Sequence, residues 1–395
     1  MIKSAASTPR KNSNNLSPVK SVSKRGVKEI TRVILFVRAS GRCEFDGCNE
    51  YLLEHHLTLT EGNFAQFAHI VALSPEGPRG QSLPRPEAIH DASNLMLLCP
   101  RCHKLIDDKP QDYTRATLEG YKQRHEDRMK LVTGLGPDLK TTIVQLKANI
   151  GGQAVDIPVS QVMEAITPRY PNDRKGFVID LTKIHGDDAA FLLTATQNIK
   201  REIDRLYSPG MDVENTRHIS LFALAPIPLL IFLGNQLSNK IPVELYQRHR
   251  DTETWVWKTL GEPTAYHFCQ RQTGTDPSSV ALVLSLSGTI HLKDLPADID
   301  ERFSVYEITL ESAVPNPLFL RTREDLTRFK DIYQACMRTI MKNHGGVKTI
   351  DLFPAIPAPI AVLCGRELFP KVDPALRVYD YDKAQGGFTF KLEVN

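Results

Sequence analysis

Between Val27 and Gly41 the apolar positions Ile30, Val33, Ile34 and Val37 recur at helical spacing, which predicts a helix with Gly41 as its C-cap. Residues 64–72, Phe-Ala-Gln-Phe-Ala-His-Ile-Val-Ala, predict a short strand, and the Pro- and Gly-rich stretch from Ser74 to Asp91 predicts an irregular loop. Asn94 to Leu98 then leads into a cysteine pair, and Asp112 to Leu131 has the pattern of a charged amphipathic helix. Gly134-Leu-Gly-Pro137 marks a domain boundary. Beyond it, Gly151-Gly152 separates two alternating runs, Thr142 to Ile150 and Ala154 to Val159, as in a hairpin. From Gly176 onward continuous apolar runs such as Phe177 to Leu181 and Val280 to Leu286 alternate with helical patterns, the mark of βαβ units and a mainly parallel sheet.

The second region repeats itself. Leu221-Phe222, Pro226-x-Pro228, Gly234, Leu237 and Lys240 recur 131 positions later as Leu352-Phe353, Pro357-x-Pro359, Gly365, Leu368 and Lys371. After a two-residue insertion the match resumes, Tyr246 with Tyr379 and Trp255-x-Trp257-Lys258 with Phe388-x-Phe390-Lys391. Two copies of one α/β unit are therefore expected, from about 176 to 262 and from about 278 to 395. The domain plan that follows has a basic disordered tail over 1–28, a metal-stapled domain over 29–132, a linker and hairpin over 133–175, and the duplicated α/β region over 176–395.

Composition changes this picture little, since 41% hydrophobic and 24% charged residues are ordinary for globular protein. No apolar run is long enough to span a membrane, and the N-terminus lacks the apolar core of a signal peptide, so a cytoplasmic location is expected. The net charge of +3 hides an uneven distribution: residues 1–28 hold seven Lys or Arg and no Asp or Glu. Such a tail is too poor in apolar residues to fold alone, and is either solvated or laid along phosphates.

Four of the seven cysteines carry metal spacing, Cys43-x4-Cys48 and Cys99-x2-Cys102, while Cys269, Cys336 and Cys364 stand alone. Four thiolates satisfy a tetrahedral Zn²⁺ and staple a segment too small to build its own core. Ala68-His69-Ile70, Asn94 and His103 fall within or directly behind this staple. A structural zinc ribbon with incidental histidines is the plain alternative, and the spacing of the three residues relative to the cysteines argues against it.

Over residues 30–130 the arrangement resembles the HNH endonucleases, a family built on a small ββα-metal unit. The motif is met by Ala68-His69-Ile70, by Asn94-Leu-Met-Leu-Leu-Cys99 and by Cys99-Pro-Arg-Cys102-His103-Lys104-Leu-Ile-Asp107. The resemblance implies a DNA phosphodiesterase in which His69 is the general base, suited to taking a proton from water at cellular pH. His103, with Asp107 one helical turn on, would bind a catalytic Mg²⁺ or similar divalent ion. Asn94 would tie the loop and orient His69 through its amide. Many family members place an acidic or histidine ligand immediately before the base, whereas this chain has Ala68, so Gln66 or Glu54 is an alternative source of a ligand. Grip on phosphates implies cleavage of double-stranded DNA with weak sequence preference.

Residues 140–395 resemble the SAVED domains, sensors of cyclic oligonucleotides built from two fused CARF-like, Rossmann-like units. Phe222-Ala-Leu-Ala-Pro-Ile-Pro228, Leu233-Gly234, Val243-x-Leu245-Tyr246-Gln247, Trp255-x-Trp257 and Val378-Tyr379-Asp380-Tyr381 carry this likeness. Ligands of open α/β sheets bind at the carboxyl ends of strands. Thr182 and Lys183, Pro226, Ser287 and Pro357 lie just after expected strands and are candidates for contact. Tyr246, Trp255 and Trp257 are expected to stack bases, at about 1 to 3 kcal/mol each, and Arg248 to meet phosphate. Because Trp255 and Trp257 alternate as in a strand, they can instead face a core.

The combined resemblance is to the HNH-SAVED effectors of bacterial antiphage signalling. It implies an α/β multidomain protein in which a cyclic di- or trinucleotide drives a homo-oligomer, dimer or tetramer, to cleave DNA and abort infection. A constitutive restriction-type nuclease whose C-terminal region recognises modified DNA is the alternative, and a non-enzymatic zinc-containing nucleic-acid binder is a third.

Overall fold

Helix α1 (Glu29–Arg38) buries Leu35 and leaves Ile30, Val33 and Val37 exposed, so the expected apolar stripe is not its core face. The computed structural model describes residues 26–173, 175–184, 186, 188–208, 218–383 and 385–395, so most of the expected basic tail lies outside the described residues. Strand β1 (Gln66–His69) pairs antiparallel with β2 (Leu95–Leu98), setting Ala68 opposite Met96 and His69 opposite Leu95. Helix α2 (Pro100–Asp108) follows at once. Cys99 caps it by accepting the Cys102 N–H at 3.4 Å, and Pro100 sits where a missing N–H costs nothing. Thr114 caps α3 (Arg115–Thr133). A small core of Leu52, Ala68, Ile70, Met96, Leu98, Ile106 and Leu118 closes around the cysteines. These elements belong to one compact unit, Met1–Gly134.

The second unit, Leu135–Asn395, opens with β3 (Lys140–Lys147). The hairpin expected around Gly151-Gly152 is reduced to its turn: Ile150 and Gln153 exchange both backbone hydrogen bonds, at 3.0 and 3.1 Å, and the pairing goes no further. The run from Thr142 is buried and pairs in parallel with strands far along the chain, and helix α4 (Val159–Ile166) starts where the return strand was expected to end. A strand buried on both faces reads as apolar throughout, and the alternation of Thr142 to Ile150 concealed that. After β4 (Tyr170–Pro171) come β5 (Phe177–Asp180), α5 (Ala189–Leu206), β6 (Ile219–Leu224), α6 (Ile227–Leu237) and β7 (Val243–Leu245). The parallel order is β5-β3-β6-β7, with β4 also beside β3. The first repeated unit therefore begins at β3 rather than near residue 176.

The second half contains β8 (Tyr266–Gln272), β9 (Val280–Ser285), β10 (Ser304–Leu310), α7 (Arg323–Asn343), β11 (Thr349–Ala355), α8 (Ala358–Arg366), β12 (Ala375–Asp382) and β13 (Gly387–Val394). Its parallel strands run β10-β9-β11-β12, the same order as in the first half, flanked by antiparallel β8 and β13. The halves meet through α6 and α8. Gly234 lies so close to the Val362 carbonyl, and Gly365 to the Ile231 carbonyl, that a Cβ on either would collide with backbone. Both the glycines and their partners are related by the repeat of 131 positions. The internal repeat is thus a pseudo-twofold pair crossing at its own glycines. Among the described residues, no helix is long and apolar enough to cross a membrane.

Candidate functional site

In the N-terminal unit the four cysteine sulfurs all lie within 4.8 Å of one another. Among the described residues no other group of three or more His, Cys, Asp or Glu is gathered in this way. The Cys43 sulfur accepts the Cys99 N–H at 3.4 Å. A hydrogen bond from the Cys102 thiol draws the Cys43 pKa down to about 6, while burial pushes Cys48 up to about 11. Four sulfurs in so small a space are the donor set of a tetrahedral soft-metal centre, and the residues fit such an ion.

His69 closes β1, and its Nε2 lies 3.1 Å from Nδ1 of His90, a residue the sequence reading passed over as part of an irregular loop. Burial, then the neighbouring imidazoles of His90 and His103, hold the His69 pKa below its ordinary value, which favours the neutral ring a base requires. His103, in the first turn of α2, is held at both nitrogens: Nδ1 is 2.6 Å from Gln66 Oε1 and Nε2 is 3.3 Å from Asp107 Oδ2. Asp107 is shared with Arg79, whose Nη2 lies 3.3 Å from Oδ1. The Arg79 side chain is only 3% exposed and also donates to the carbonyls of Ile70 and Ile106, both at 2.7 Å. It therefore ties the end of the strand to the helix that carries His103, a second residue missed within the same loop.

Asn94 corrects an expectation. Its Oδ1 accepts the Val71 N–H at 3.0 Å, and its Nδ2 donates to Val71 O at 3.0 Å and Ile89 O at 2.9 Å. It ties the loop, but both amide groups are spent on backbone and neither reaches His69.

In the second unit the carboxyl ends of β3, β6, β7, β9, β11 and β12 surround a cavity of about 1250 Å³. Pro226, Arg248, Ser287 and Pro357 line it; Thr182, Lys183, Tyr246, Trp255 and Trp257 do not. The aromatic residues are core. Tyr246 stacks on Phe222 with centroids 4.4 Å apart, Trp255 meets the same ring edge-on at 5.3 Å, and Trp257 Nε1 donates to Leu245 O at 3.1 Å. The second half repeats the arrangement, Tyr379 on Phe353 at 4.5 Å and Phe388 edge-on to it at 5.5 Å. Residues matched between the halves here are matched because they pack the repeated unit. Thr182 acts from behind the wall, its carbonyl accepting from Asn149 Nδ2 at 3.0 Å.

Among the lining residues not expected as contacts from the sequence are Asn149 after β3, and Gln247 and His249 after β7. Asn149 Oδ1, Gln247 Oε1 and His249 Nε2 are buried without a hydrogen-bond partner. Orphaned buried polar atoms are costly unless a bound molecule satisfies them. The lining mixes the cations Arg248, Arg250, Lys383 and Lys391 with the acidic Glu253, Asp380 and Asp382, and α6 and α8 both begin there, with Pro226 and Pro357 as N-caps that offer no side-chain acceptor.

A family model described as the SMODS-associated and fused to various effectors sensor domain, SAVED, matches residues 189–394, and one described as HNH endonuclease matches residues 43–109. No curated protein matches the chain. Among solved structures, the chain is similar to an Acinetobacter baumannii Cap4 SAVED/CARF-domain containing receptor with the cyclic trinucleotide 3'3'3'-cAAA. That match has 12% identity and a TM-score of 0.45, covering 74% of this chain and 66% of the receptor. The Moraxella osloensis Cap4 SAVED/CARF-domain containing receptor gives 12% identity and a TM-score of 0.37, covering 75% of this chain and 60% of the other. The chain thus spans just under two thirds, or less, of the length of these structures.

Proposed function

The chain belongs to the SAVED family and carries an HNH endonuclease domain ahead of its sensor, and from that premise we propose that it is a double-stranded DNA endonuclease switched on by a cyclic di- or trinucleotide. The cavity is the observation that carries the proposal. It lies where two repeat-related sheets present their strand ends, the position at which open α/β folds take ligands, and its frame is near-twofold, the symmetry of a cyclic dinucleotide. Arg248 and Arg250 with the starts of α6 and α8 would receive phosphates, and the orphaned groups of Asn149, Gln247 and His249 would read base edges. Pro226, Pro357 and Ser287 would shape the floor.

In the N-terminal unit His69 would take the proton from the attacking water, and Asn94 would keep the loop that presents it closed. His103, oriented at Nδ1 by Gln66, would hold a divalent ion such as Mg²⁺ through Nε2 together with Asp107, the ion taking the place of their mutual contact; when bound it supplies charge for the developing oxyanion. Cys43, Cys48, Cys99 and Cys102 would hold structural Zn²⁺. Nucleotide binding would favour a homo-oligomer that is competent to cut, and this requires tighter binding to the active than to the idle assembly. Such an enzyme would act in the bacterial cytoplasm, degrading DNA with weak sequence preference and so aborting phage infection.

The test is plasmid cleavage by the full chain with Mg²⁺, alone and with a panel of cyclic di- and trinucleotides, beside His69→Ala. Cleavage that needs one nucleotide and is lost in His69→Ala is the expected result. Equal cleavage without any nucleotide would make the C-terminal unit a reader of DNA and overturn the gate.

A further inference from the structure

General bases of the imidazole type need a third group to fix which nitrogen carries the proton. Asn94 does not fill that place, because its amide is spent on Val71 and Ile89. His90 occupies it instead. Its Nδ1 faces His69 Nε2 at 3.1 Å, the ring centroids are 5.2 Å apart and the planes are inclined at 63°, so the two nitrogens share one hydrogen bond. Among the described residues neither ring makes another hydrogen bond.

We infer that His90 is a positioning residue for the general base: by accepting the Nε2–H of His69 at its own Nδ1, it fixes the tautomer that leaves the His69 Nδ1 lone pair free for water. The inference rests on the proposal that His69 is the base. In the step it serves, an O–H bond of water breaks, the proton passes to His69 Nδ1, and the oxygen's electron pair forms a bond to phosphorus. The P–O3′ bond then breaks and the leaving oxygen takes a proton from solvent. His90 keeps its proton on Nε2 throughout, and the imidazolium formed on His69 continues to donate to it, now as a stronger, charge-assisted bond. A carboxylate in this place would orient His69 equally well, but it would set a negative charge beside the phosphodiester. A neutral imidazole orients without that repulsion.

The test uses the full-length protein labelled with ¹⁵N-histidine, whose long-range proton–nitrogen spectrum reports the tautomer of each ring. Wild type should show His69 protonated at Nε2 alone near pH 7.5. His90→Leu should lose that preference, and His90→Asn, whose amide oxygen still accepts, should retain it. In plasmid cleavage with Mg²⁺ and the nucleotide panel, His90→Leu should lower kcat about 10- to 100-fold with KM for DNA unchanged. His90→Asn should recover most of the loss, and adding His90→Leu to His69→Ala should slow the enzyme no further. A His69 tautomer that is unchanged in His90→Leu overturns the inference, as does an unchanged kcat. Full cleavage by His69→Ala would instead overturn the base assignment, with the spectrum still judging the His90 contact. Should His90→Leu purify with less zinc than wild type, His90→Ala, which removes the acceptor without adding apolar bulk, takes its place.

Discussion

Trp255 and Arg248 lie close together in sequence and answer to different forces. Trp255 is 1% exposed, edge-on to Phe222, whereas Arg248 lines the cavity. Trp255→Ala should therefore cost about 3 to 5 kcal/mol in a denaturant titration of the C-terminal unit, with the nucleotide affinity of the remaining folded protein unchanged. Arg248→Ala should do the reverse: stability within about 0.5 kcal/mol of wild type and nucleotide binding, followed by calorimetry, weakened about tenfold or more through loss of a charged hydrogen bond. The sequence pattern could not separate these residues, because alternation reveals that one face of Trp255-x-Trp257 is apolar but not which cavity or core that face meets. The spacing of Cys43, Cys48, Cys99 and Cys102 was legible, since metal geometry restricts it. His90 and Arg79 were not, for each lies in a loop without periodicity and acquires its partner only through folding.

At the scale of elements, α6 and α8 carry the assembly of the second unit. Both are apolar almost all round and both are nearly fully buried, as helices packed between layers must be. Gly234→Ala or Gly365→Ala would drive a methyl group into a backbone carbonyl that cannot rotate away, so each should force the helices apart. The expected readout is a loss of at least about 1 to 3 kcal/mol of stability in each variant, with ligand binding lost alongside, because the cavity floor begins at these helices. The repeat that places the glycines was visible in the bare sequence through Pro226, Gly234 and Leu237. The pairing of β3 was not. Its parallel partners, β5 and β6, are distant in the chain, and the local Gly151-Gly152 turn offered a nearer pairing that the fold carries no further than Ile150 and Gln153.

Over the whole molecule, two units with separate cores predict separate responses to metal removal. A strong chelator should lower or erase the melting transition of the N-terminal unit while leaving that of the C-terminal unit in place, as read by scanning calorimetry, because a cysteine-held ion supplies folding energy to the small core alone. Restoring Mg²⁺ without zinc should not restore cleavage. The crossing of α6 over α8 has a consequence of another kind. Gly234 against Val362 and Gly365 against Ile231 are one contact seen from its two sides, the relation that identical subunits have across a dyad. The sensor is in that sense a dimer written as one polypeptide. A chain cut between its halves, in the exposed stretch from 259 to 263 ahead of β8, should hold together without the peptide link, and the two fragments should elute from a sizing column as a single species.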